Sequence, residues 1–236
     1  MSFFSRGALI VACEEDNEEA VKAYLDGGGD VDAVVDEEEE TLLCVAAVRG
    51  AVKVTRLLLN AGADINRGNK EGQTPLYVAA AKNKLEVVLL LIAKGAKLDL
   101  VPVPHKRGTT PLHDAAFGGH MKVVRALLEA GATIDSVDKY GYTPLMHACE
   151  KAHPEVALIL IEAGADVNHT NAVGIPLLIA ATSPCADYAQ AAPNMIAADW
   201  NEPGECLALL LASAQITKAT LEETIEICEN LKSAAK

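Results

Sequence analysis

A repeated sequence frame, centred on the motif Thr-Pro-Leu, recurs along the chain and constrains the fold more than any other feature. Successive copies start 32 to 36 residues apart. Self-similarity at such a period indicates stacked supersecondary units, each of which buries its apolar face against its neighbours. One repeat domain spanning 1–236 is therefore predicted rather than a closed globule. From the first copy to the sixth, with the weakest copies at the two ends, the starts are Gly7, Thr41, Thr74, Thr110, Thr143 and Ile175.

Each copy carries the signals of two short helices joined by a turn. In the fourth copy Thr110 is a favourable N-cap, and Pro111 fits the first helical position, where no backbone N–H is needed. A turn follows at 118–120, and apolar residues then recur at helical spacing until Gly131, which can adopt the left-handed conformation that ends a helix. The polar segment after that glycine predicts a projecting hairpin finger before the next copy.

The fourth copy, Thr-Pro-Leu-His-Asp-Ala-Ala at 110–116, resembles the ankyrin repeat, and the resemblance covers nearly the whole chain. It implies an all-α repeat solenoid of helix-turn-helix units with β-hairpin fingers, capped at both ends. Sixteen or so extra residues in the sixth copy mark an insertion at 183–203. A capping box at Thr220 predicts a C-terminal capping helix over about 220–235.

His113, Asp114 and His120 raise the question of chemistry, since two imidazoles and a carboxylate could bind a metal or act as a general base. A catalytic set occurs once, but the position of His113 is occupied by Cys44, Tyr77 and Met146 in other copies. His113 is therefore predicted to be structural, and the resemblance implies that it shares a hydrogen bond with Thr110. We expect His120 to lie in the turn between helices.

Known catalytic and nucleotide-binding motifs are missing from the sequence. It contains no G-x-S-x-G, no H-E-x-x-H, no P-loop and no dinucleotide fingerprint. No catalytic residue, cofactor site or metal site is predicted, and the chain is not expected to be an enzyme.

Acidic residues outnumber basic residues by 33 to 20, which argues against nucleic acid or an anionic membrane as the main partner. The six cysteines show no C-x-x-C spacing, and Cys13, Cys44 and Cys149 occupy positions of the frame that favour small residues. Buried reduced thiols are therefore expected, which favours the cytoplasm and leaves the nucleus open. The apolar run 8–12 is short and is followed by acidic residues, so it is predicted to be the first helix.

The resemblance implies a non-catalytic intracellular protein-protein interaction module, such as a scaffold, an adaptor or an inhibitor. A partner protein, with charge that could be mixed, would bind in the concave groove and at the finger tips of a monomer. The positions that carry recognition in such repeats map onto this chain residue by residue. With Trp200 of the insertion, the predicted partner-binding residues are Glu37, Glu38, Lys70, Lys82, Lys106, Arg107, Phe117, Lys139, Tyr140, Tyr142, Lys151 and Trp200.

Several of these positions admit two interpretations. The acidic finger 36–40 is either a solvated tip or a docking site for a basic partner, and the longer finger 98–109 with its basic tip is either drift or a binding element. The insertion around Trp200 either shields the last repeat or forms a partner-binding lid. Tyr140, Tyr142 and Phe117 are expected to be exposed, where they either supply hot spots or pack along their own fingers.

Modification gives an alternative function. Asn66, which follows Asp64 and Ile65, and Asn168, which follows Asp166 and Val167, look like the asparagine hydroxylation sites of ankyrin repeats. These asparagines could equally serve only to bond backbone groups of the finger.

Overall fold

The computed structural model describes residues 5–101 and 107–172, and within them short helices alternate in pairs. Each pair belongs to one predicted repeat, from the first to the fifth. The first helices of the pairs are α1 (Arg6–Glu14), α3 (Leu42–Arg49), α5 (Pro75–Ala81), α7 (Pro111–Phe117) and α9 (Pro144–Glu150). The second helices are α2 (Glu18–Asp26), α4 (Val52–Asn60), α6 (Leu85–Ala93), α8 (Met121–Glu129) and α10 (Pro154–Glu162). This order confirms the all-α repeat fold.

The repeated threonine starts the first helix of its repeat. The side chains of Thr41, Thr74 and Thr143 each accept a hydrogen bond from the backbone N–H three residues later, at 3.2 to 3.3 Å. In the fourth repeat Nδ1 of His113 lies 2.8 Å from Thr110 Oγ1 and accepts the Thr110 N–H at 3.1 Å. His113 is fully buried, so its predicted structural role is confirmed. His120 lies in the turn before α8, also as predicted.

The fingers are closed by a side chain rather than by strands. Oδ1 of Asp36 accepts the N–H groups two and four residues later, and Asn69 and Asp138 do the same in their fingers. Among the described residues the β-structure consists of one isolated bridge, between Val34 and Thr41. The expected β-hairpins are therefore not confirmed; the backbone bonds across these three fingers include Val35 N–H to Glu40 O, Asn69 N–H to Gln73 O and Asp138 N–H to Tyr142 O, at 2.9 to 3.1 Å.

The chain divides into two compact units, Met1–Ala115 with Lys122–Thr133 and Ala116–Met121 with Ile134–Lys236. In the first unit α3 packs against α1, α4 and α5, and in the second unit α9 packs against α10. The single domain 1–236 stays a prediction.

A leucine two residues after the repeated threonine is buried in every described repeat from the second to the fifth, and a second leucine is buried in the helix that follows. Burying one leucine side chain stabilises a fold by about 2 kcal/mol. The leucines of the repeated frame are therefore also residues of the core. These core leucines are Leu43, Leu76, Leu112 and Leu145 in the first helices, and Leu58, Leu91, Leu127 and Leu160 in the second helices.

Three cysteines of the described residues, Cys13, Cys44 and Cys149, are buried and form no disulfide bond, as expected. Burial, with a smaller contribution from the charge of Glu14, raises the pKa of Cys13 to about 12. Burial raises the pKa of Cys44 to about 11, so both groups are thiols rather than thiolates at neutral pH. In the described part of the chain, every helix is too short or too polar to cross a membrane.

Several predicted features lie outside the described residues. These are Lys106 of the fourth finger, the sixth copy from Ile175, the insertion 183–203 with Trp200, and the capping helix predicted over about 220–235.

Candidate functional site

The predicted partner-binding residues differ in their exposure. In the first unit Glu37 and Glu38 are exposed at the acidic finger, and Lys70, Lys82 and Arg107 are exposed on later repeats. In the second unit Lys139 and Tyr140 are exposed, whereas Phe117 and Lys151 are half-buried. Each of these described side chains therefore presents at least part of its surface to solvent.

Two cation-π pairs of the second unit make up what we call the aromatic-cation surface: Lys139 with Tyr140, and Lys151 with Phe117. The ammonium nitrogen of Lys139 lies 4.8 Å from the centroid of the Tyr140 ring, and that of Lys151 lies 4.6 Å from the centroid of the Phe117 ring. Both distances are within the range of an attractive cation-π contact. Tyr140 keeps 41 % of its area exposed. The surface thus presents two aromatic rings, each with a lysine ammonium group held over its face.

Tyr142 was expected at the same surface, and the exposure predicted for it is wrong. It keeps only 6 % of its area exposed, and its ring centroid lies 5.5 Å from that of His147 on α9. The residue before the repeated threonine is covered in the other described repeats too, since Glu40 and Gln73 are half-buried and Thr109 is buried. Tyr142 packs against α9 and therefore supports the surface from beneath.

Beneath the surface lies a buried imidazole between two carboxylates, which sequence reasoning missed. Nε2 of His147 is 3.3 Å from Asp138 Oδ2, and Nδ1 is 3.6 Å from Glu150 Oε2. The ring of Phe117 meets the His147 ring edge-on at 5.9 Å. His147 therefore contacts the finger through Asp138 and Tyr142, and also lies against Phe117 of the surface.

The protonation of this cluster follows from its surroundings. Burial alone would lower the pKa of His147, but the hydrogen bond to Asp138 and the negative charges of Asp138 and Glu150 outweigh burial and raise it. Burial alone would raise the pKa of Asp138, but hydrogen bonds from His147 and from the N–H groups of Tyr142 and Tyr140 lower it. Both shifts favour an ion pair of imidazolium and carboxylate.

The signal for this cluster was present in the repeat frame. His147 occupies the position of Val45 and Val78 in the second and third repeats, so a buried apolar residue has been replaced by an ionisable one. Asp138 occupies the position of Asn69 in the third repeat. The second repeat has Asp36 at that position, so comparing the repeats position by position would have singled out His147 and placed it beside a finger carboxylate.

Residues after α10 hold the fifth finger through two hydrogen bonds to its backbone carbonyls. Nε2 of His169 lies 2.9 Å from Gly141 O, and the N–H of Ala172 donates to Tyr140 O at 2.9 Å. Gly141 has a φ of 78°, and a Cβ atom there would lie 2.4 Å from Ala172 N, so only glycine fits. Nε2 of His153 lies 3.0 Å from Phe117 O at the end of α7.

The acidic finger of the first unit is ordered by its own chain. Asp36 holds the turn, and the carbonyl of Glu38 accepts the N–H of Lys70 at 2.8 Å. Burial and the nearby Asp36 raise the pKa of Glu40, although a hydrogen bond from Asn69 opposes the shift. Glu37 and Glu38 remain exposed at the tip, so both the docking and the solvated interpretations stay open.

The two candidate modification sites differ. Oδ1 of Asn66 accepts the N–H of Lys97 at 2.9 Å, which is the bond that Asp32 and Asp135 make to the following repeat at 3.0 Å. Asn66 therefore has the structural role that the sequence analysis left open. Asn168 is exposed, and its own N–H is bonded to Asp166 at 2.9 Å. Hydroxylation at either residue stays a prediction.

The sequence of these repeats matches a known protein family. A family model described as ankyrin repeats (3 copies) matches residues 9–101 and 100–171. Within the described ranges, no group of three or more histidine, cysteine or acidic residues could hold a metal ion.

Proposed function

The chain belongs to the ankyrin repeat family, whose repeats are generally protein-protein interaction modules, and from this premise we propose that it binds a partner protein through the aromatic-cation surface. The observation that carries the proposal is the pair of cation-π contacts at the end of α7 and at the tip of the fifth finger. Members of this family are typically non-enzymatic, and we propose a scaffold, adaptor or inhibitor role.

Physical arguments favour this surface among the predicted residues. Tyrosine, with few rotatable bonds and both apolar and polar parts, supplies much binding energy at interfaces at a low entropic cost. Lys139 and Lys151 are held over rings, so less side-chain freedom is lost when a partner binds. The finger is fixed by Asp138, Gly141 and Ala172, which keeps Tyr140 in one position.

The charges of the first unit suggest how one partner could contact more than one repeat. Lys70 and Lys82 would attract carboxylates, whereas Glu37 and Glu38 would attract basic groups. A partner of mixed charge fits this distribution better than nucleic acid does. A cytoplasmic monomer with reduced thiols remains our proposal for the working form of the chain, and the buried Cys13 and Cys44 support it.

The test is quantitative capture on the immobilised full chain from a lysate of the source cell, read by mass spectrometry. The surface variant combines Lys139→Glu, Tyr140→Ala and Lys151→Glu. A matched variant combines Lys122→Glu, Arg125→Glu and Leu158→Ala on second helices, with the same change of charge. Leu158 and Tyr140 each expose 41 % of their area, so the apolar loss is comparable.

The proposal expects proteins whose capture falls at least tenfold with the surface variant and stays within about twofold with the matched variant, because losing one hot-spot residue commonly costs 2 kcal/mol or more. Circular dichroism of both variants checks that they are folded. Equal capture by the wild type and the surface variant would overturn the assignment of this surface.

A further inference from the structure

The fold does not require an imidazole at the position of His147, because valine serves there in the second and third repeats. We propose that His147 is a positioning residue for the aromatic-cation surface: when it carries a proton it fixes the fifth finger, residues 137–142, and when it loses the proton the finger is held less firmly. That this movement regulates partner binding rests on the function proposed above. The effect on the finger itself does not.

The geometry provides the link between the proton and the finger. Asp138 uses Oδ1 to hold the N–H groups of Tyr140 and Tyr142, at 2.8 and 2.9 Å, and uses Oδ2 to meet His147 at 3.3 Å. One carboxylate therefore carries both the turn that presents Tyr140 and the contact with the imidazole. The carboxylate is only 1 % exposed, so solvent does not replace the imidazolium as a partner.

Charged and titratable groups face His147 from more than one element. The finger contributes Asp138 and the phenol ring of Tyr142. Helix α9 contributes Glu150, whose second oxygen lies 3.4 Å from the ammonium of Lys151. Helix α7 contributes the uncharged ring of Phe117. The two carboxylates outnumber the one cation, so the cluster favours a proton on His147.

The direction of the pH effect follows from linkage. The pKa of His147 is raised when the finger is closed, so closing the finger favours proton uptake and the proton favours the closed finger. This stabilisation is fully present below the ordinary histidine pKa of about 6.5 and is lost as the pH rises through the raised pKa. The pKa of Asp138 is lowered, so its contribution is lost only when the pH falls through that lowered value.

A second histidine competes for the same role and must be separated from the first. His169 bonds the carbonyl of Gly141 in the same finger, through an N–H that a neutral ring also carries. The mechanism proposed for His147 needs a carboxylate partner, whereas the His169 bond does not. A variant of each histidine therefore distinguishes them.

The test is site-resolved amide hydrogen exchange of the free full-length chain by NMR at pH 6 and at pH 8.5. Each rate is divided by that of an unstructured peptide at the same pH. We expect protection of the Tyr140 and Tyr142 amides to fall from pH 6 to pH 8.5, by up to about tenfold for each unit by which closure raises the pKa. The amides of Glu71 and Gln73, held in the same way by uncharged Asn69, are the internal control and should keep their protection.

Two variants keep the proposal falsifiable if one folds poorly. Asp138→Asn retains an oxygen for the two amides and removes the charge, and Asp138→Asn with His147→Val recreates the Asn69 and Val78 arrangement of the third repeat. In both we expect protected finger amides without the pH dependence. His169→Gln should retain the pH dependence.

Two results would overturn the proposal: equal protection of the wild-type finger at both pH values, or a pH dependence that survives in both Asp138 variants. No partner enters this measurement. A missing pH effect would therefore leave the interaction surface standing, and an unaltered capture profile would leave the histidine mechanism standing.

Discussion

The third and fifth repeats build the same finger with different chemistry. In the third repeat Asn69 holds the turn, Val78 lies at the fourth position after Thr74, and the fold is complete without a buried charge in that pair. In the fifth repeat Asp138 and His147 take these places. Because an amide and a valine suffice for the turn and the core, the ion pair of the fifth repeat is surplus to the fold. Surplus polar chemistry of this kind is where function is best sought.

Replacing His147 alone should give the largest effect on stability. His147→Val leaves the carboxylate of Asp138 buried with its two amide bonds but without its cation, and the expected loss is about 3 kcal/mol of unfolding free energy. Adding Asp138→Asn should recover most of that loss, because the pair then matches the third repeat. Urea denaturation of the two variants and the wild type measures both steps. A double variant no more stable than His147→Val would show that the pair of the third repeat cannot replace the pair of the fifth.

Much of the fold could be predicted from the sequence because the frame and the core coincide. Thr110 and Thr143 mark helix starts, and Leu112 and Leu145 are buried at the same offset from them. The hydrogen bond between His113 and Thr110 was implied by the family resemblance and is present. These features repeat, so several copies of each signal support one interpretation.

The candidate site was harder to predict, because repeat position alone does not give the direction of a finger side chain. Tyr140 and Tyr142 are two residues apart, yet one is exposed and the other packs beside His147. The contact of Asp138 with His147 spans nine residues and depends on how the turn closes onto α9. That closure is a tertiary arrangement, and periodicity carries no information on it.

The pH dependence of global stability should also differ between the two arrangements. The raised pKa of His147 predicts that the wild type gains unfolding free energy as the pH is lowered from 8.5 to 6, by up to about 1.4 kcal/mol for each unit of the shift. The variant with Asp138→Asn and His147→Val should lose that part of the gain. Urea denaturation at both pH values gives the difference, and the other histidines cancel because they are common to both proteins. Identical gains in the two proteins would contradict the raised pKa.

The reciprocal change, in the third repeat, should have the smallest effect on the unfolding free energy. It adds a carboxylate to a finger that has no imidazole to pair with it. Asn69→Asp keeps an acceptor for the amides of Glu71 and Gln73 but loses the donor that Asn69 offers to Gln73 at 3.2 Å and its hydrogen bond to Glu40. A new carboxylate beside Glu40 and without an imidazole should cost about 1 kcal/mol near neutral pH. Because a protonated Glu40 relieves the repulsion, the cost should shrink as the pH falls through the raised pKa of Glu40. Urea denaturation at pH 7 and pH 5 measures it. A cost that is the same at both pH values would show that the lost hydrogen bonds, rather than the charge, distinguish the two fingers.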